Sequence, residues 1–172
     1  MNKQLLDHIW DEIRQRYGVY LRILDTIPED RFHTNPVEGM RTPAELMVHT
    51  SRTIVRDIAQ GIAKGEVTAD ESKEDAAARA LNTKQEILDF AKECWVKADG
   101  AMESVSEDQL KSEVPTPWNF SPQGRVLVHI LNEEFLHHRA QLTVFARVCG
   151  ETPPMIWGFG ENAPEFQPRP RT

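Results

Sequence analysis

Cysteine is scarce in this chain: Cys94 and Cys149 are the only two among 172 residues. Neither belongs to a CxxC or to a spaced disulfide framework, and each lies in a helical apolar pattern, so core packing is the expected role of both. Positive charge is also in short supply. Lys and Arg number 20 against 27 Asp and Glu, the formal net charge is −7, and no basic stripe occurs. Binding nucleic acid through its phosphates needs clustered cations that displace counterions, so no nucleic-acid partner is expected. No apolar run approaches the ~18–20 residues that span a bilayer, so no membrane partner is expected either. The opening segment MNKQLLDHIWDEIRQRY carries acids and lacks a small-residue cleavage site; neither a secretory signal nor a transit peptide is read, and the cytoplasm is the expected compartment. Gly-rich phosphate loops, GxSxG elbows and HExxH are missing as well. A ferritin-like di-iron plan requires Glu-x-x-His on two helices plus two further glutamates, and only Glu134-x-x-His137 fits that pattern.

What is present is helical periodicity. Leu6, Ile9, Ile13, Tyr17, Tyr20 and Leu24 recur at spacings of three and four and predict a first helix over about Lys3 to Thr26, stopped by Pro28. After the turn-rich loop PEDRFHTNPVEGMR, Thr42-Pro43-Ala44-Glu45 combines a cap, a proline at the first helical position and a capping box, and predicts a second helix to about Ala63. The acidic stretch from Lys64 to Asn82 reads as a long exposed connection, a crossover with a helical turn or two near its end. A third helix is expected over about Thr83 to Val105. A fourth is expected from Ser121-Pro122 to Cys149, with Gly150 as its C-terminal cap. The tail ETPPMIWGFGENAPEFQPRPRT holds too much Pro and Gly for regular structure, and Met155, Ile156, Trp157 and Phe159 are expected to pack it onto the bundle. With no convincing strand run and no internal repeat, the expected fold is all-α: an up-down four-helix bundle with long loops, forming a single domain over residues 1–172.

The segment LVHILNEEFLHHRAQLTVFARVC carries the clue to function. At ~100° per residue, Leu127, Leu131, Leu142, Phe145 and Cys149 share one stripe, and Glu134 and His138 fall inside it one turn apart. A carboxylate and an imidazole among leucines without partners each carry a penalty of several kcal/mol, so something must satisfy them. The i, i+4 spacing directs both side chains the same way, as a helix does when it offers two ligands to one metal ion. The plainer alternative is a buried ion pair joined by Arg139 or Gln141. His129, Glu133, Ala140 and Arg147 fall on the opposite side, and His137 about a quarter turn away. Among the other histidines, His8 is off its stripe and His33 lies in a loop. His49 lies two turns into the second helix, yet roughly opposite Met47, Ile54 and Ile58, so periodicity leaves it either solvated or facing a polar cleft. Trp118 and Trp157 flank the ends of the fourth helix and are candidates to line that cleft.

The combination of TPAELMVH, NEEFLHHRAQL and the GETPP segment resembles the DinB/YfiT-like superfamily of metal-dependent enzymes over nearly the whole chain. The resemblance implies a DinB/YfiT-like bundle in which His49 takes the place of the second-helix histidine and His138 that of the last histidine of the H-x-x-H-H-R-G-Q-like motif. Glu134 stands where many members carry histidine, and Ala140 replaces the usual glycine. The glutamate variant is similar to the mycothiol-dependent maleylpyruvate isomerase branch, where a His-Glu-His set holds zinc. The implied metal ligands are therefore His49, Glu134 and His138, and the ion is Zn, Ni or non-haem Fe(II), with zinc first. The implied activity is that of a transferase or isomerase using a low-molecular-weight thiol and a small-molecule substrate. A metal-dependent hydrolase of small amides or esters ranks second, and a non-catalytic stress-response or interaction protein third. A homodimer is expected, and no catalytic residue beyond the ligands is assigned.

Overall fold

Helix starts are written into this chain as side-chain caps. Asn2 accepts from the Leu5 N–H at 2.9 Å. Thr42 and Glu45 satisfy each other's backbone at 3.2 and 2.8 Å, and Thr83 with Glu86 and Ser106 with Gln109 repeat the device. In a computed structural model, which describes residues 1–35 and 37–169, these caps open α1 (Lys3–Thr26), α2 (Pro43–Val48), α5 (Lys84–Ser104) and α6 (Glu107–Lys111). The others are α3 (Ile58–Lys64), α4 (Glu71–Ala80) and α7 (Gly124–Val148), and no strand occurs among the described residues beyond an isolated bridge between Glu113 and Gln123.

Between α2 and α3 the chain stays helical but changes its ladder. His49–Asp57 is π-helical, so residues 43–64 form one composite helix. Thr50 Oγ1 donates to the Leu46 carbonyl at 2.7 Å, the acceptor an α ladder would give to Thr50's own N–H, and the run Thr50, Thr53, Ile54, Val55 is β-branched. Both features weaken a regular α-helix and leave room for the wider i→i+5 ladder.

The four long helices are α1, the composite helix, α5 and α7. Each of α1 and the composite helix packs against both α5 and α7, which places connections 27–42 and 105–123 across diagonals of the bundle. The segment after α3 joins neighbours instead. It is not the exposed crossover expected from the sequence: it carries α4, whose Glu74 and Ala78 are buried against α2 and the π segment. The core is built on aromatics, with Tyr17 at 4.9–5.8 Å from the rings of Trp95, Tyr20, Phe135 and Phe166. Its hydroxyl is answered by Ser51 Oγ at 2.9 Å and the Ala91 carbonyl at 2.8 Å. α7 ends as expected on Gly150, whose φ of 86° closes the last turn with an N–H to the Arg147 carbonyl.

The tail is irregular, with two short 3-10 turns, and residues 170–172 lie outside the described residues. Its anchors differ from the expected set. Phe166 is fully buried, whereas Met155, Ile156 and Trp157 are exposed and only Phe159 of the four joins the core margin. No helix among the described residues is long and apolar enough to cross a membrane.

Candidate metal centre

The buried stripe of α7 runs Leu127, Leu131, Phe135, His138, Leu142, Phe145, and His138 is its one polar member. Gln141 holds that ring from one side, with Oε1 at 2.8 Å from His138 Nδ1 and Nε2 at 3.2 Å from His137 Nε2. Since an amide oxygen only accepts, Nδ1 of His138 carries the proton and Nε2 keeps a lone pair. That Nε2 is buried and has no hydrogen-bond partner. Burial pushes the pKa of His138 down, with the Gln141 hydrogen bond opposing and the neighbouring His49 and His137 adding to the fall. The ring is therefore neutral near pH 7, the form that donates to a metal.

Glu134 is not inside the stripe. The wheel placed it there, but its side chain is 48% exposed at the wet margin, with its carboxylate 3.6 Å from His138 Nε2. Its separation from the stripe's centre line is small in angle, and a long side chain at that edge turns outward rather than surrender its hydration. His137, His129, Glu133 and Ala140 are exposed as expected.

His49 resolves in favour of the cleft. Its ring lies 4.8 Å from that of His138, edge to face at 89°. An i→i+5 ladder turns each residue through less than the α angle, so the wheel drawn at the α period misplaced His49 relative to Ile54 and Ile58. Its Nδ1 lies 2.9 and 3.0 Å from the two oxygens of Glu74. Because a carboxylate only accepts, the neutral ring keeps its proton on Nδ1 and its lone pair on Nε2.

Glu74 was invisible in the sequence reading. It is buried, and besides His49 it accepts from the Thr53 hydroxyl, with Arg41 at 3.9 Å. Burial pushes its pKa up, yet the hydrogen bonds from His49 and Thr53 and the charges of His49 and Arg41 together carry it below the usual glutamate value. A signal was available: Asp70 caps the Ser72 and Lys73 N–H groups ahead of an alanine-rich run, a helix start of ordinary kind. A small cavity of about 240 Å³, lined by Arg41, Glu45, Glu74 and Ala78 among others, opens onto this carboxylate.

The donor set fits an ion in part. Two imidazoles with Nδ1 engaged stand edge to face, and the Nε2 of His138 is buried without a hydrogen-bond partner. Among the described residues, however, no three His, Cys, Asp or Glu side chains already converge as an ion would require. His49 and His138 are brought together, and Glu134 completes the set only by turning inward. Trp118 and Trp157 are exposed, and their described ring contacts are with Phe120 and Phe159. A larger cavity of about 1050 Å³, lined by Trp10, Arg14, Met102 and Arg169 among others, contains none of the predicted ligands.

Comparison with known proteins gives the same architecture. The model of the DinB family matches residues 1–169. The uncharacterized protein YjoA of Bacillus subtilis (strain 168) is 26% identical over 132 residues, 76% of this chain and 81% of that protein. The crystal structure of YjoA, a DinB-like protein, aligns with a TM-score of 0.67 at 24% identity over 89% of this chain and 96% of that one. The mycothiol-dependent maleylpyruvate isomerase aligns with a TM-score of 0.59 at 16% identity, over 96% of this chain and 66% of that longer one. At such identities the likeness of the two structures carries the fold.

Proposed function

The chain belongs to the DinB family, and from that premise we propose that it is a divalent-metal-dependent enzyme acting on a small molecule with a low-molecular-weight thiol as co-substrate. The observation that carries the reading is the buried, unpartnered Nε2 of His138 beside the ring of His49. A buried acceptor left without a partner costs about 1–3 kcal/mol, and a ligand that answers it offsets that cost. His49 and His138 would hold the ion through their Nε2 atoms, with Glu134 as the anionic third ligand. Three protein ligands leave one position open, which separates catalytic from structural sites.

When bound, the ion supplies Lewis-acid activation that lowers the pKa of a thiol or a water in that open position. The protein's own contribution is to orient both rings, through Gln141 on one side and Glu74 on the other. Zinc suits this borderline N/O set, and nickel or Fe(II) are the nearest alternatives. The fold shared with a mycothiol-dependent isomerase favours a thiol-dependent transferase or isomerase over a hydrolase of small amides or esters.

The test begins with metal analysis of the purified protein, with ions added back after chelation. Wild type and His137→Ala are expected to take up one divalent ion, His138→Ala none, and Glu134→Gln to bind more weakly. Loss of uptake in His137→Ala but not in His138→Ala would overturn the ligand set. Turnover that requires added bacillithiol or mycothiol supports the thiol reading, and thiol-independent hydrolysis replaces it with the second. No DNA shift is expected at physiological salt, and light scattering is expected to return a homodimer.

A further inference from the structure

We propose that Glu74 is a positioning residue for this centre: its carboxylate fixes the His49 ring with Nδ1 protonated and Nε2 left as the donor, and thereby couples the seating of α4 to ion binding. The inference deepens the metal reading above and rests on it for the ion itself.

Donors from separate parts of the chain converge on this one carboxylate. His49 and Thr53 reach it from the π segment, four residues apart, and Arg41 approaches from the loop before α2. A buried carboxylate with such donors is held in one place, and so is the ring that donates to it. A metal-binding imidazole commonly gives its other ring N–H to a carboxylate, which sets its tautomer and raises its basicity. His49 already has that partner before any ion arrives.

The same contact seats α4. The buried side chains described on this helix are Glu74 and Ala78, supplemented by a hydrogen bond from Arg52 Nη1 to the Lys73 carbonyl at 2.7 Å. One methyl group is little hydrophobic area, so the polar contact at Glu74 decides where α4 rests. Coupling of this kind is reciprocal: what holds Glu74 on His49 favours the ion, and the ion favours the docked helix.

A purely structural staple would look the same in a stability measurement, so the experiment reads the ring. Nitrogen-detected NMR of the metal-free protein at about pH 8.5, where an unperturbed imidazole is neutral, reports the His49 tautomer in wild type, Glu74→Gln and Glu74→Met. Wild type is expected in a single form with Nδ1 protonated. The glutamine retains an accepting oxygen and keeps that form, whereas methionine does not and yields a mixture. Zinc affinity by chelator competition is expected to fall about 10- to 100-fold in Glu74→Met and less in Glu74→Gln. Thr53→Val, which removes one donor from Glu74 and leaves His49 untouched, is expected to lower zinc affinity a few-fold and keeps the question decidable if the methionine variant folds poorly. A single unchanged tautomer together with wild-type zinc affinity in Glu74→Met overturns the proposal and leaves Glu74 as a staple for α4. If wild type itself takes up no zinc, the metal reading fails while the tautomer measurement still decides the role of Glu74.

Discussion

Arg14 on α1 and His138 on α7 are both buried, 4% and 5% exposed, yet their surroundings treat them differently. The Arg14 guanidinium is closed in by opposite charge, although its Nε, like His138 Nε2, makes no hydrogen bond. Its two terminal nitrogens donate to the two oxygens of Asp99 at 3.0 and 2.6 Å, its Nε lies 3.5 Å from Asp11, and it sits 5.4 Å from the centre of the Trp95 ring. Trp10 stacks on Trp95 at 5.2 Å and donates to the same Asp99 at 2.8 Å. His138 has one nitrogen answered by Gln141 and the other without a hydrogen bond, the Glu134 carboxylate standing off at 3.6 Å. Buried charge that serves the fold is surrounded by opposite charge; the imidazole at the candidate centre keeps a donor atom open, at a cost the rest of the bundle carries. The ladder follows the same division. α1 is regular along its whole length, whereas the helix facing His138 is π-helical where His49 and Thr53 leave it.

The sharpest way to break this comparison is to strip Arg14 of its partner. Asp99→Ala leaves a buried guanidinium without its main counter-charge and also frees the Trp10 N–H, so a loss of about 3–5 kcal/mol is expected in denaturant unfolding. Ion binding by the variant, measured under conditions where it stays folded, is expected to be unchanged. A loss below 1 kcal/mol would show that the Arg14 cluster is not structural, and the contrast with His138 would lose its reference.

His138→Leu should move in the opposite direction. It removes the unanswered nitrogen and fills the stripe with an apolar side chain, so metal-free stability is expected to rise by about 1–2 kcal/mol while ion uptake disappears. The gain should depend on pH with a definite sign. Burial lowers the folded-state pKa of His138, so on acidification the unfolded chain takes up the proton first. The unfolded state then binds more protons, and wild-type stability falls as pH drops through the unfolded histidine value of ~6.5. The variant lacks that term, and its advantage should widen between about pH 7.5 and 5.5. An advantage that narrows there would mean that His138 gains a partner on protonation, with Glu134 at 3.6 Å the nearest anionic group described.

Much of the fold could be read from residues that act locally. The Thr42–Glu45 and Thr83–Glu86 capping boxes and Gly150 fix ends of the long helices through contacts within a few residues, so their pattern survives in the sequence. The same signal at Ser106–Gln109 marks α6, which the sequence reading passed over. His138 was legible because an imidazole interrupts an apolar stripe of regular period. Its partner His49 was not legible from periodicity, because the wheel assumes an α ladder and Thr50 sits where that ladder widens; the family resemblance alone placed it. Glu74 left no apolar trace, since its helix docks through a carboxylate and one alanine. The tail misled in a simpler way: Trp157 and Met155 have the size of anchors, but Phe166, at the end of the tail's second 3-10 turn, is the residue that reaches the core.

Tyr20 provides the finest test, because it too has a buried atom left open, as do Arg14 and Arg52 at their Nε atoms. Its ring is fully buried at 5.8 Å from Tyr17 and 5.5 Å from Phe135, between the aromatic core and the stripe that carries His138, and its hydroxyl makes no well-formed hydrogen bond, the Thr50 side chain interacting with it only weakly. Burial pushes its pKa far up, so the hydroxyl is un-ionised near neutral pH. Tyr20 and His138 invite one explanation, yet the chemistry differs: a neutral phenol is a poor metal donor, whereas a neutral imidazole is a good one. Tyr20→Phe removes only the oxygen, so metal-free stability is expected to rise by about 0.5–1 kcal/mol, less than for His138→Leu, and ion affinity is expected to stay within about two-fold of wild type. Unfolding curves and chelator competition on the same preparations give both numbers. A drop in ion affinity of ten-fold or more at unchanged stability would instead place the Tyr20 hydroxyl among the groups that serve the centre, and the open atom at His138 would then belong to a wider polar site reaching through the core to α1.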